Sequence, residues 1–437
     1  MATLATMPKY NAYKESGVDW LDEVPASWGL LANKHIFQLK KNLVGKRSNE
    51  YDLLSLTLKG IIKRDMENPE GKFPAEFDTY QEVKLGDFVF CLFDVEETPR
   101  TVGLSDFDGM ITGAYTVFEP SEKFDNKFLY YFYLNLDVKK RLKPLYKGLR
   151  NTIPKDAFMS FKTFVPPVNE QTAIANHLNV KSAQIDEAIA IKEKQIVLLE
   201  KRKQIIIQKA VTQGLNSNIP MKGSGVDWIR NIPEHWEVKK LRYLGRTQNG
   251  ISAGAEYFGE GYPFVSYGDV YKNRQLPDVV DGLAKSSASD QTLYSVQSGD
   301  IFFTRTSETI DEIGFASICL RTIEEATFAG FLIRFRPTSK KLTKEFSKYY
   351  FNSAKMREYF VKEMNLVIRA SLSQELLKNL FVVLPPVDEQ LEMFEYLEGM
   401  SEKIDSSIDV QNKQIDKLKE YKTTLINSAV TGKIKVV

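Results

Sequence analysis

Two stretches of the chain place apolar residues on the 4,3 spacing of a heptad seam: Ile185, Ile189, Ile196, Leu199, Ile206 and Ala210, and then Ile404, Ile408, Ile415, Leu418, Leu425 and Ala429. A seam of that period predicts a long amphipathic helix in each stretch. Pro166-Pro167 and Pro385-Pro386 enforce extended chain beforehand, Asn169 and Asp388 are good N-caps, and Glu170 and Glu389 complement the first-turn dipole. The helices are therefore expected to begin near 170 and 389. Lys192 and Lys203 interrupt the first seam, and Gln411 and Lys422 the second. Polar groups at seam positions select a register, so each helix is expected to pair specifically, with the other as its partner. From Val180 to Thr212 the first would span roughly 50 Å at about 1.5 Å per residue, the dimensions of a spacer.

Elsewhere, short apolar runs bounded by Gly, Asp and Pro read as strands, among them Phe88 to Phe93, Thr116 to Phe118, Ile301 to Phe303 and Phe331 to Phe335. Helical stretches at Lys127 to Leu142 and Lys344 to Phe360 lie between them. These patterns recur. Ser16 to Trp20, Pro25 and Trp28 return as Ser224 to Trp228, Pro233 and Trp236 at an offset of 208. Gly86-Asp87 returns as Gly299-Asp300 at 213, and Gly113 and Pro120 return as Gly330 and Pro337 at 217. Tyr130 to Phe132, Arg150, Pro166 to Val168 and Glu170-Gln171 return at 219. The offset grows between Trp28 and Gly113 and is nearly constant afterwards, so the copies differ in length mainly in their first parts. Two binding modules of one fold with different targets would leave this pattern; a duplication that merely enlarges a scaffold is the plainer alternative.

The expected fold is α+β, with two similar mixed α/β modules separated by two long antiparallel coiled-coil helices in a pseudo-two-fold repeat. The boundaries read as 1–168 for the first module, 169–215 for the central helix, 216–387 for the second module and 388–437 for the last helix. Residues Gln213 to Lys222 have the turn-rich composition of a linker.

Composition narrows the chemistry. Hydrophobic residues are 43% and charged residues 27%, which suits folded domains. Lys plus Arg (59) and Asp plus Glu (57) nearly cancel, so a nucleic-acid reader of this composition must cluster its basic groups on one face. Cys91 and Cys319 occupy non-equivalent places in the repeat, which offers neither a disulfide framework nor a CxxC metal site and suits a reducing cytoplasm. No apolar run approaches the roughly 18 residues of a membrane span. Phosphate-wrapping GxxxxGK[ST], a Gly-rich dinucleotide or methyl-donor turn, HExxH and GxSxG are all missing. His35, His177 and His235 are scattered and read as surface or packing residues. Abundant carboxylates leave a magnesium site open, although no pair stands out.

Loops beside the recurring strands hold the candidate contact residues, because loops on a rigid frame carry recognition. In the first copy these fall in Lys59 to Arg64, Arg100 and Lys147 to Asn151, with Lys59, Arg64, Arg100, Arg150 and Asn151 singled out; in the second they fall in Gly250 to Gly254, Tyr267 to Arg274 and Arg305 to Ser307, with Tyr267, Lys272, Arg274, Arg305, Thr306, Ser307 and Arg369 singled out. Arg and Lys can grip phosphate or read guanine, and hydroxyls and amides can read other base edges. An exposed solvated charge is the competing reading for each. Arg150 and Arg369 are equivalent in the two copies, which a shared DNA contact or a shared ion pair would both explain.

The repeated Ser-Gly-Val-Asp-Trp motif with its Pro and Trp, the Pro-Pro-Val-x-Glu-Gln helix starts, and the Ala-Val-Thr helix ends at Ala210 to Thr212 and Ala429 to Thr431 resemble the specificity subunit of type I restriction-modification systems over nearly the whole chain. The resemblance implies a non-catalytic, sequence-specific subunit. Two target recognition domains would each read one half of a split double-stranded DNA site, and the helices would set the spacer. It also implies partners: two modification subunits that bind S-adenosylmethionine and methylate adenine, and restriction subunits that can join and use ATP and magnesium. No cofactor is then expected in this chain, nor any membrane association.

Overall fold

The computed structural model describes residues 7–65, 76–148, 150–306, 313–364 and 371–436. The chain gathers into two compact units, Met1–Lys192 with Asn412–Val437 (unit 1) and Glu193–Gln411 (unit 2). The long helices run over Val168–Gln213 and Val387–Val430, and both are divided between the units. Each unit therefore combines a sheet from one copy of the repeat with a helix end from the other. The fold is α+β, as the periodicities indicated.

Unit 1 is built on a four-stranded antiparallel sheet in the order Phe37–Lys40, Thr116–Pro120, Phe88–Phe90, Val102–Leu104. Phe88, Val89 and Phe90 are all buried because the sheet is covered on both faces, which leaves no solvent side to alternate towards. On one face Phe88, Phe90 and Phe118 join Trp28, Phe132 and Tyr133, with Ile185 from the first long helix and Leu425, Ala429 and Val430 from the second. On the other, Val89 and Val117 meet Leu54, Ile61, Val83 and Ile111 from the segments between the shared strands.

Unit 2 repeats the sheet with Gly245–Asn249, Leu332–Pro337, Ile301–Thr304 and Ala316–Ile318 in the same order. Ile301, Phe303, Ile333 and Phe335 pack with Trp236 and Tyr350, with Ile207, Ala210 and Val211 from the first long helix and Met393 and Leu397 from the second. Phe302 and Leu332 turn to the opposite face, against Val265, Leu276 and Phe328. That outer layer rests on a mixed sheet in which Phe258–Val265 pairs antiparallel with Leu283–Ala284 and parallel with Thr327–Phe328.

Several boundaries differ from expectation for identifiable backbone reasons. The strand from Phe88 stops at Phe90, and Leu92 O instead accepts from Ile153 N at 2.7 Å. The helix expected over 127–142 is Asn126–Val138, closed by Lys140 in the left-handed region (φ 47°) and by Arg141 N bonding Leu136 O. The helix expected over 344–360 is two, Lys344–Tyr350 and Ala354–Met364, broken at Ser353, whose carbonyl accepts from Arg357 N. The long helices start at Val168 and Val387, slightly early. Pro167 O and Pro386 O take the first helical bonds from Gln171 and Gln390, which moves Asn169 and Asp388 from the cap into the first turn.

Within each unit the helix segments run antiparallel. In unit 1 Lys422 pairs with Asp186 at 2.6 Å, and Lys192 Nζ donates to Gln414 Oε1. In unit 2 Lys203 pairs with Asp405 at 2.6 Å. Asp186 and Asp405, and Lys203 and Lys422, are equivalent at the offset of 219, so Lys203 and Lys422 make the same reciprocal contact in the two units. Half-exposed pairs of this kind contribute about 0–1 kcal/mol; their role is register.

The sequence motifs acquire physical meaning here. Gly17 (φ 72°) and Gly225 (φ 74°) adopt left-handed turns, and Ser16 Oγ and Ser224 Oγ accept from the N–H groups of Val18 and Val226, each at 3.1 Å. The buried Trp28 donates Nε1–H to Glu170 (2.9 Å) and the buried Trp236 donates to Glu389 (3.0 Å). Each glutamate has a second partner, Tyr10 OH in unit 1 and His235 Nε2 in unit 2, both at 2.5 Å. Burial, together with the Glu170 carboxylate, holds the Tyr10 phenol well above its usual range.

The adjacent glutamines tie each helix start to a shorter helix. Gln171 Oε1 accepts from Asp125 N (2.9 Å) and Gln390 Oε1 from Thr343 N (2.9 Å), and Asp125 and Thr343 are the N-caps of Asn126–Val138 and Lys344–Tyr350. The far ends of the long helices close onto the tryptophans through Gly214 (φ 78°) and Gly432 (φ 73°). A Cβ at 214 would lie 3.3 Å from Trp236 Cζ2, and one at 432 would lie 2.2 Å from Pro25 Cδ.

Two glycines of the last third of the chain should consequently respond in opposite directions. Gly399→Ala, inside a helix with open space around its Cβ, is expected to stabilise unit 2 by up to about 1 kcal/mol. Gly432→Ala is expected to destabilise unit 1 by about 1–3 kcal/mol. Hydrogen exchange resolved by unit checks both, and equal behaviour of the two variants would contradict the packing described.

Candidate nucleic-acid interface

In unit 1, segments far apart in sequence are fastened into one surface. The turn of the hairpin Leu54–Thr57/Gly60–Lys63 carries Lys59, and Arg100 Nη2 donates to Leu58 O beside it at 3.2 Å. Arg100 is held from behind by Asp137, 3.9 Å from its Nε; that carboxylate is buried and accepts from Thr101 Oγ1 (2.6 Å), Thr101 N (2.9 Å) and Lys140 Nζ (3.0 Å). The loop after Phe90 is joined to a tight turn by Asp94 N to Arg150 O (2.8 Å) and Ile153 N to Leu92 O (2.7 Å). That turn is closed by the Lys147–Thr152 bridge, with Gly148 (φ 72°) and Asn151 (φ 43°) in left-handed conformations, and it leaves Lys147 and Arg150 exposed.

Lys59, Arg100, Arg150 and Asn151 thus sit on hydrogen-bonded neighbouring segments. Arg64 lies at the other end of the hairpin, its N–H on Leu53 O, and does not join them. Beside Lys59 and Arg100 is a cleft of about 880 Å³ whose walls include Tyr130, Tyr131, Lys419 and Lys422. Burial pushes the Tyr130 phenol above its usual range despite the opposing charge of Arg100.

In unit 2, Tyr267–Lys272 is a short helix whose N-cap Ser266 and Asp269 form a reciprocal capping box. Tyr267 and Tyr271 stack with centroids 5.9 Å apart. Tyr271 meets Phe315 edge-on at 5.3 Å, and the Arg357 guanidinium lies 4.5 Å over the same ring. Tyr271, Lys272, Arg274, Phe315 and Arg357 line a cleft of about 580 Å³. Lys272 and Arg274 are exposed, while Arg274 O and Leu276 N both bond Ile318 and pin the loop to the sheet edge. Arg305 N donates to Phe331 O (2.9 Å), Arg305 O accepts from Leu372 N (2.8 Å), and Thr306 bridges Ser371. This is the counterpart of the Leu92–Ile153 link in unit 1. Ser307 and Arg369 lie outside the described residues.

A sequence profile described as the type I restriction modification DNA specificity domain matches residues 233–420. The MjaVIII specificity subunit of Methanocaldococcus jannaschii is 29% identical over 319 residues, covering 70% of this chain and 70% of its own. The putative MjaX specificity subunit of the same organism is 24% identical over 443 residues, covering 95% and 96%. The HsdS subunit from Thermoanaerobacter tengcongensis shares the fold with a TM-score of 0.52 at 14% identity, over 94% of this chain and 98% of that one. A chain from a structural study of complex assembly and conformational transition in the type I R-M system superposes with a TM-score of 0.68 at 14% identity, over 94% and 99%. By these likenesses the chain is similar to type I restriction-modification specificity subunits.

In each unit the candidate contact loops sit on the four-stranded sheet, and the residue that sequence reasoning passed over arrives from an element it treated as structural. Tyr271 falls within the candidate stretch Tyr267 to Arg274, four positions after Tyr267 on the same helix. Arg357 comes from a helix in another part of the chain, and no local pattern marks it. The Arg150 side chain is exposed and makes no ion pair among the described residues; its link to the neighbouring loop runs through its backbone carbonyl. Among the described residues no group of His, Cys, Asp and Glu could hold a metal ion, and no helix is long and apolar enough to cross a membrane.

Arg274→Ala is expected to weaken duplex binding and to lower the slope of log K against log salt by about 0.9, the share of one phosphate contact. Arg64→Ala, away from the clustered segments, is expected to leave the slope unchanged. Salt titrations of both variants measure this directly.

Proposed function

We propose that this chain is the non-catalytic reader of a bipartite double-stranded DNA site, each unit contacting one half-site through its cluster of loops. The observation that carries the proposal is the repeated link between the loop after the second core strand and the loop before the last strand. It occurs at Leu92–Ile153 and at Arg305–Leu372, and each time it brings basic and polar side chains to the same end of a sheet. A rigid frame with variable loops is what direct readout needs, because base-edge hydrogen bonds tolerate little displacement.

The long helices are proposed to set the spacer between half-sites and to dock two modification subunits. Exposed apolar side chains on the first helix support a docking role: Val197 (60% exposed), Leu198 (56%) and Ile205 (57%) in unit 2, with Ile191 (52%) in unit 1. Apolar groups this exposed favour burial against a partner. Methyl transfer from S-adenosylmethionine, and ATP- and magnesium-dependent restriction where restriction subunits join, are assigned to those other chains. The buried, free thiols of Cys91 and Cys319 suit work in the cytoplasm.

Purified with its modification partner, the chain should direct methylation to one split sequence, and methylation mapping with and without it tests this. Methylation that ignores sequence would refute the proposal. Arg305→Ala should cost about 1–3 kcal/mol on the cognate site and relax specificity in one half-site only, if the side chain reads a base. Removing one heptad from both long helices should shift the accepted spacer or abolish assembly. Full activity on the original spacer would rule out a ruler.

A further inference from the structure

Unit 2 carries three arginines on its sheet where unit 1 has none. Pro337 pairs with Gly245 as Pro120 pairs with Phe37, which sets the common register. Arg336 and Arg246 then stand where Glu119 and Gln38 stand in unit 1, and Arg334 and Gln248 where Val117 and Lys40 stand. The same backbone pairing is achieved without the arginines, so the frame does not require them.

Arg246, Arg334 and Arg336 line a cavity of about 850 Å³ together with Thr247, Ser289 and Thr292. No carboxylate is among the lining residues. Arg336 is already neutralised: its Nε and Nη2 both donate to Asp300 at 2.6 Å. Arg334 is only 5% exposed and has no carboxylate among its hydrogen-bond partners. Its Nη groups donate to the carbonyls of Ser295 and Leu293 and to Gln248 Oε1, its guanidinium lies 5.1 Å from the centroid of Phe328, and its buried Nε has no partner. Burial pushes its pKa down to about 10; Asp300 works against that shift and Arg336 adds to it. The Arg246 side chain is exposed and makes no hydrogen bond or ion pair among the described residues.

A buried cation fixed by neutral acceptors is costly unless an anion accompanies it. Here the second, accessible guanidinium and the hydroxyls share a concave wall with it, and guanidinium geometry matches tetrahedral oxyanions. We propose that this cavity is a phosphate-binding site in which Arg246 grips the oxyanion and Arg334 supplies a fixed positive charge behind it. The phosphate comes either from the backbone of a duplex or from free inorganic phosphate. The first source rests on the DNA-reading role proposed above, and the second does not.

The test uses the full chain and Arg246→Gln, a change at an exposed, unbonded side chain to the residue that unit 1 has at that register. Calorimetric titration with inorganic phosphate at constant ionic strength should show binding weakened about tenfold or more in the variant, as expected for loss of a charge-assisted bond. Duplex titrations over a salt series separate the sources. A slope lowered by about 0.9 assigns a DNA phosphate to the site, and an unchanged slope with weakened phosphate binding assigns the free anion. The proposal is overturned if the variant matches the wild type in both measurements. A wild type with no salt-dependent duplex binding would remove the DNA-reading role, and the phosphate titration would still decide the site.

Discussion

A buried indole in each unit fastens three pieces of chain that are remote in sequence. Trp28 and Trp236 each place their N–H on a first-turn glutamate of a long helix, and the glycine that ends the other long helix closes against the same ring. A buried indole N–H left without an acceptor costs about 1–3 kcal/mol, so the glutamate is fixed where it stands. The neighbouring glutamine then ties the helix start to the cap of a shorter helix. With these contacts made, the start of one long helix and the end of the other are both committed to the same core, and the polar seam pairs fall into register.

This arrangement separates what the two units share from what distinguishes them. One face of each four-stranded sheet packs on the helices and is similar in both, with Phe88 and Phe90 in unit 1 and Ile301 and Phe303 in unit 2. The opposite face is covered by segments that differ in length and topology, a pair of two-stranded ribbons in unit 1 and a mixed three-stranded sheet in unit 2. Because the shared face supplies most of the apolar burial, the other is free to change. There Val117 in one unit is replaced by a buried arginine in the other, a substitution that an all-apolar core would not tolerate without the acceptors provided by Ser295, Leu293 and Gln248.

Near-neutral overall charge is compatible with this division. Several acidic groups are used within the frame, as with Asp137 behind Arg100, Asp300 under Arg336 and the aspartates between the helices. In the unit 1 loops Lys59 and Arg150 are exposed and make no ion pair among the described residues, a local excess of positive charge despite the near-neutral total.

From the residues alone, the duplication, both long helices and the family resemblance could be read, because each rests on a local or periodic signal: a heptad spacing, a proline pair before a helix, and a repeated motif. Short apolar runs placed two of the four strands of each sheet, those at Phe88, Thr116, Ile301 and Leu332, to within a few residues. What they could not carry is which distant segments meet. That Lys59, Arg100 and Arg150 lie on adjoining segments while Arg64 stands apart depends on hydrogen bonds between loops, and no spacing encodes those. Nor could period two reveal that the second sheet face is buried, because a strand covered on both sides has no polar positions to mark a boundary. The tertiary structure alone decided that each core is completed by the helix end of the other copy, since an apolar seam specifies that it must be covered and leaves open which residues cover it.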